Sequence, residues 1–203
     1  MKKSIVFLVV LLTIYTSNYA QSAGPDKFSI AWEVGIPSND FMSATSYSGG
    51  RIEYQRMIKP NMSVGISGSW NSFSEYVPKT TYQKPDGSGA ITTDIVNEVY
   101  SVPLTLNVKY YMREGKGNTL IPYVGIGLGG QYSAQAKYFN IYGIEDNNWG
   151  FVARPELGVL FSFNRNSALF LSGVYNYAAI KSDFFGTESL DHIAVSLGFV
   201  FSN

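Results

Sequence analysis

The sequence has no cysteine and one histidine, His192. The first absence excludes disulfides, thiol chemistry and a lipid-modified N-terminal cysteine. Together the two absences exclude a His/Cys metal cluster. Charge is also scarce. Asp, Glu, Lys and Arg make up 15% of the 203 residues, against about a quarter in a soluble domain. The two signs balance at 15 each, and no basic run is present, so nucleic acid is excluded as a partner. No apolar run is long enough for a membrane helix, and no helical period stands out along the chain.

Aromatics and glycine are abundant: 15 Tyr, 13 Phe and 20 Gly. A chain rich in these and poor in charge suits a sheet whose outer surface does not need to satisfy water. The length fits one domain. Residues 1–20 read as a secretory signal peptide, with Lys2 and Lys3 before the apolar stretch Ile5–Ile14 and cleavage after Ala20 or as late as Ser22. Residues 21–203 then form the exported domain.

Alternation with period two recurs eight times. The clearest stretch sets Tyr100, Val102, Leu104, Leu106, Val108 and Tyr110 against Ser101, Pro103, Thr105, Asn107 and Lys109. The last sets Ile193, Val195, Leu197, Phe199 and Phe201 against His192, Ala194, Ser196, Gly198 and Val200. A stretch from Ala168 to Ala179 alternates less cleanly. Short turn-forming connectors (59–61, 113–118, 164–166) alternate strictly with longer polar ones (38–49, 76–92, 139–149, 181–190). An even number of antiparallel strands with short turns at one end and long loops at the other is the plan of a transmembrane barrel. The fold expected is all-β: an eight-stranded antiparallel up-and-down transmembrane β-barrel with a polar interior and an apolar exterior.

The faces decide between this barrel and a soluble one with an apolar core. The non-apolar face carries Glu33, Arg51, Glu53, Lys109, Arg154 and Glu156, three acids and three bases. An eight-stranded barrel is just wide enough for side chains to fill it, and buried charges persist there only when paired. The equal count suits a closed interior network, with Gly125, Gly127 and Gly129 leaving room for long partners such as Arg154. The apolar face is then the outside. On it, two aromatic belts are expected at the two interfaces. Trp70, Tyr100, Tyr132, Phe151 and Tyr177 lie near the long loops, and Phe28, Tyr110, Phe161, Phe163, Phe199 and Phe201 near the short turns.

Ser101–Tyr111 (SVPLTLNVKYY), Pro122–Gly130 (PYVGIGLGG) and the closing strand resemble the OmpA/OmpX-like family of eight-stranded outer membrane β-barrels, over essentially all of the mature chain. The resemblance implies residence in the bacterial outer membrane among lipid and lipopolysaccharide. It also implies insertion by the outer-membrane assembly machinery, which reads a terminal strand ending in an aromatic. Here that aromatic is Phe201, followed by Ser202 and Asn203.

No cofactor is expected. Some small barrels are lipid-modifying enzymes or proteases, but the lone His192 points inward. Ser196 is four residues on, roughly 13 Å at about 3.3 Å per residue, too far for a nucleophile–base pair. Glu145, Asp146 and Asp183 read as solvated loop carboxylates rather than a Ca²⁺ site. The expected role is non-enzymatic: envelope structure or surface interaction with an extracellular protein through the long loops. The alternatives are a narrow porin-like channel for small solutes and a lipid-modifying enzyme. Pro85–Gly89 is a turn signal between two strand-compatible segments, so 76–92 is either a protruding hairpin with an edge open to a partner strand or a loop.

Overall fold

A computed structural model describes residues 24–38, 42–83, 89–112, 119–139, 142–164, 166–182 and 188–203, without the side chains of Tyr82 and Ile91. The expected signal peptide and the turn at 113–118 lie outside the described residues. All regular structure among the described residues is strand: β1 (Lys27–Pro37), β2 (Ser46–Lys59), β3 (Met62–Gln83), β4 (Ala90–Tyr111), β5 (Leu120–Phe139), β6 (Tyr142–Ser162), β7 (Ser167–Ala179) and β8 (His192–Ser202). Each strand pairs antiparallel with its sequence neighbour, and β1 pairs with β8 to close the ring.

Alternation makes these strands. Along β8 every residue of one parity is exposed and all but the last of the other are buried. On β4, Leu106 is 69% exposed while its neighbours Thr105 and Asn107 are buried. The exposed residues are the apolar ones, so the wall is inside-out relative to a soluble barrel. The all-β eight-stranded barrel with an apolar exterior is therefore what the chain forms.

The long connectors differ from expectation at one place. Residues 139–149 were expected to be a loop, but β5 runs to Phe139, β6 starts at Tyr142, and the two pair up to Phe139↔Tyr142. The reason is physical: the segment has no buried apolar face, and Glu145, Asp146, Asn147 and Asn148 interrupt its exposed Tyr142, Ile144 and Trp149, so it lacks the alternation of the barrel wall. The 76–92 segment is a hairpin in its described part, paired from Tyr76↔Val96 to Gln83↔Ala90 across a register shift between Val77 and Thr80. The first connector ends at Ser46, where β2 begins, and Ile180–Asp191 joins β7 to β8.

Candidate functional site: a plugged lumen and a raised rim

Register brings the interior charges together. Lys109 on β4 and Glu156 on β6 flank Gly125 of β5, and Asn107 and Arg154 flank Gly127 in the same way. A Cβ at Gly127 would meet Asn107 Oδ1 at 2.3 Å, and one at Gly125 would meet Lys109 Cγ at 2.9 Å. The two glycines let long side chains cross the space above β5.

Four charges form a ring in which each cation touches both carboxylates. Arg51 Nη2 lies 2.7 Å from Glu53 and 2.8 Å from Glu156. Lys109 Nζ lies 2.6 Å from Glu53 and 3.2 Å from Glu156. Tyr123 donates its hydroxyl to Glu156 Oε1 at 2.7 Å. A second group centres on Glu33. It is 3.1 Å from Arg154 Nη2 and accepts from Asn71 Nδ2 at 2.7 Å and Ser196 Oγ at 2.9 Å. Arg154 also donates to Ser69 Oγ. Opposite charges at this burial are each other's main solvation.

The ends of the lumen are apolar. At the turn end Met57, Tyr111, Ile121, Leu160, Phe170 and Val200 pack together. At the loop end Phe73, Val99, Val152 and Ala178 meet Met42, Ile180 and Leu190, which arrive from the connectors. Small cavities remain among the described residues. One, of about 20 Å³, is lined by Lys27, Glu53, Lys109 and Tyr123, and another, of about 10 Å³, by Met42, Phe73 and His192. Each has room for about one water. A larger one, of about 80 Å³, lies at the turn end between Lys27, Leu160, Asn164, Ala168 and Val200. His192 is buried at the loop end, its ring edge-on to Phe73 with centroids 5.4 Å apart, and Ser196 is committed to Glu33.

The aromatics named from sequence lie on the outer wall, with two qualifications. Tyr132 and Phe161 are half-buried, and Phe163 sits one residue past β6, in the turn. Tyr132 leans on Trp149, centroids 5.5 Å apart. Sequence reasoning missed Trp32. It pairs with Gly50, which also pairs with Trp70, so the two indoles share a height. Trp32 Nε1 donates to the Tyr47 carbonyl at 2.7 Å.

Four strands rise furthest above this level, while β1 and β8 pair on to Pro37↔His192 and β2 pairs with β1 as far as Ser46. β2 last meets β3 at Gly50↔Trp70, and β7 last meets β6 at Ala179↔Phe151. Strands β3 to β6 therefore stand above the rim as a sheet whose outer strands have no ladder partner among the described residues over 71–83 on β3 and 142–150 on β6, with Ile180 and Ser182 lying along the lower part of the β6 edge, against Gly150 and Asp146. The β6 edge is about 30 Å long at roughly 3.3 Å per residue. The first and last connectors are tied to the sheet. Ser43 N–H donates to Glu75 at 3.1 Å, and Ser43 Oγ donates to the same carboxylate. Ser182 Oγ donates to Asp146 at 2.5 Å and Asn148 Nδ2 does so at 2.8 Å. These bonds hold the Asp146 carboxyl below its ordinary range.

The family described as outer membrane protein beta-barrel domain matches residues 6–202. No curated protein matches the chain. Among solved structures it resembles Neisserial surface protein A, at 14% identity and a TM-score of 0.63, covering 90% of this chain and 100% of that one. It resembles Ail, the attachment invasion locus protein of Yersinia pestis, at 15% and 0.53, covering 89% and 99%. It also resembles OprG of Pseudomonas aeruginosa, at 13% and 0.51, covering 90% and 97%. These likenesses speak to the fold, whose closed, inside-out ring of eight strands agrees with the family match. The chain belongs to the outer membrane protein beta-barrel domain family and is a transmembrane barrel of the bacterial outer membrane.

Proposed function

We propose that this barrel is a non-enzymatic surface-interaction protein, exported by residues 1–20, whose raised sheet captures an extended segment of an extracellular protein along the β6 edge. The observation that carries this reading is the β6 edge 142–150, whose upper part has no strand partner but β5 among the described residues. An unpaired row of backbone N–H and C=O groups templates another strand. The two edges are unequal. β3 carries Pro78 and Lys79 at its register shift, features that blunt an edge. Residues 142–150 (YGIEDNNWG) contain neither proline nor lysine, and they expose Tyr142 and Trp149 beside the backbone. One similar fold, Ail, has been crystallised with the heparin analogue sucrose octasulfate, which is consistent with ligand contact at a barrel surface.

The lumen weighs against the channel reading: apolar clusters lie at both ends, and the cavities beside the charge ring and beside His192 have room for about one water each. The sealed His192 and the committed Ser196 weigh against an enzyme. The aromatic belts, in contact with lipid and lipopolysaccharide at the two interfaces, anchor the barrel, and the paired lumen charges close it. The assembly machinery engages β8 through its terminal aromatic, Phe201.

The test is selection of a displayed peptide library on the protein in nanodiscs, followed by hydrogen exchange. Selected peptides are expected to protect amides of 142–150, and Asn147→Pro or its neighbour Asn148→Pro is expected to abolish binding. Protection elsewhere, or no selection, refutes edge capture. Discrete conductance steps in a planar bilayer refute the sealed lumen.

A further inference from the structure

At the opposite end of the barrel, on the outer wall beside the β1–β8 seam, lies an open groove of about 270 Å³ lined by Asp26, Phe28, Tyr54 and Phe201 among others. Phe28 pairs with Tyr54 on one side and with Phe201 on the other. Three outward rings therefore stand side by side, each about half exposed. The Tyr54 hydroxyl donates to Asp26 Oδ2 at 2.7 Å. The Asp26 carbonyl accepts from Asn203 N–H at 3.1 Å, which fixes the backbone just before β1. The carboxylate is thus pinned beside the rings, with lone pairs left over.

Arg56 occupies the next outward position after Tyr54 on β2 and is exposed. Extending the Lys27↔Gln55 register by one residue sets Asp26 opposite Arg56. Strands are about 4.8 Å apart, so an acidic and a basic residue are neighbours across the β1–β2 pair at this end of the wall. The carboxylate is turned to the Tyr54 hydroxyl.

Both charges face outward at the level where the apolar band ends. A charge on a lipid-facing wall is costly unless it finds a partner. Aromatic faces beside a carboxylate attract an ammonium ion, and a guanidinium suits phosphate. A primary ammonium can donate to the carboxylate, whereas a quaternary one has no N–H to give. We propose that this groove is a headgroup site for a zwitterionic ethanolamine phospholipid, with its ammonium against Asp26 and the rings and its phosphate against Arg56. The site rests on the outer-membrane reading, with short turns directed to the periplasm, the side on which phospholipid fills the leaflet.

The test is native mass spectrometry of the folded protein released from bicelles holding equal amounts of phosphatidylethanolamine, phosphatidylcholine and phosphatidylglycerol. Wild type is expected to retain the ethanolamine lipid over the other two. Asp26→Asn is expected to lower that retention about fivefold, the scale of one partly desolvated cation contact, and to leave phosphatidylglycerol unchanged. An unheated-against-boiled gel shift verifies folding, and Phe28→Leu serves if Asp26→Asn fails to fold. Equal retention of ethanolamine and glycerol lipids by wild type, or retention unchanged in both Asp26→Asn and Phe28→Leu, overturns the proposal. Labelling of a cysteine placed at Asn61 in whole cells tests the orientation separately. Labelling from outside would overturn the leaflet assignment even where the bicelle selectivity holds.

Discussion

Glu156→Gln probes the interior most directly. In the native ring Glu156 contacts Arg51, Lys109 and the Tyr123 hydroxyl, and the side chains of all four ring charges are at most 8% exposed. Glutamine keeps the shape and removes the charge. Two cations then share Glu53, and the ring changes from neutral to one net positive charge. Breaking a buried pair by removing one partner costs about 3–5 kcal/mol, or two to three and a half decades in the folding constant at about 1.4 kcal/mol per decade. Lys109→Met alone leaves the opposite imbalance and carries a similar cost. The double variant leaves Arg51 with Glu53 at 2.7 Å as a neutral pair, and replacing a whole pair is often close to neutral. The double variant is therefore expected to be more stable than either single one. Urea titration in lipid vesicles, followed by tryptophan fluorescence and by gel shift at each concentration, supplies the three stabilities when the two probes coincide. If the double cost equals the sum of the singles to within about 0.5 kcal/mol, the charges are not coupled. If Glu156→Gln costs under about 1 kcal/mol, the value for a solvated pair, the lumen is wet and the sealed picture fails.

Gly127→Ala places a Cβ 2.3 Å from Asn107 Oδ1 and 2.9 Å from Thr105 Oγ1 and is expected to cost about 1–3 kcal/mol by overpacking; Gly173→Ala, with nothing within 4 Å, is expected to be neutral in the same titration. The tie between Ser182 and Asp146 is pH-dependent. Because the folded carboxyl sits below its ordinary value of 3.8, its stabilisation is complete above that value and is lost as pH falls through the lower folded value. The protection factor at residues 180–182, which is hydrogen exchange corrected for its intrinsic pH dependence, is accordingly expected to stay flat from pH 7 to about 4 and to fall only in stronger acid; a fall near neutrality refutes the tie.

Much of the fold was legible because lipid and lumen impose opposite chemistry on alternate residues. Along β4, from Tyr100 to Tyr110, that opposition is unbroken, and parity alone assigns each side chain to a face. Where one of the two phases is missing, the signal goes. Residues 142–149 stand above the apolar band with polar residues on both faces and no buried apolar side, and a strand there has the composition of a loop. At the lumen ends the inner face is itself apolar. That is why Ala168–Ala179 alternates poorly: Phe170, Val174 and Ala178 point inward, while Leu171, Tyr175 and Tyr177 point out. The contribution of Met42, Ile180 and Leu190 carries no period, since they reach the mouth from connectors. Trp32 was missed for a different reason. Parity assigns a face, but height on the wall needs the register, and only the Gly50 pairings set it level with Trp70. The charge ring shows the same limit, since sequence supplied its members but not which cation meets which carboxylate.

The seam between β1 and β8 has a consequence in time. Every residue of β1 from Lys27 to Pro37 finds its partner on β8, the most distant strand in the sequence. Contacts of such separation form late, because the intervening chain must be brought together first. Until they form, both terminal strands hold a row of unpaired backbone groups, which hydrocarbon cannot solvate and which invite pairing with other chains. The barrel therefore has no stable half-built state in the membrane. Between export and closure the chain depends on a helper that occupies one edge and yields it when the last strand arrives.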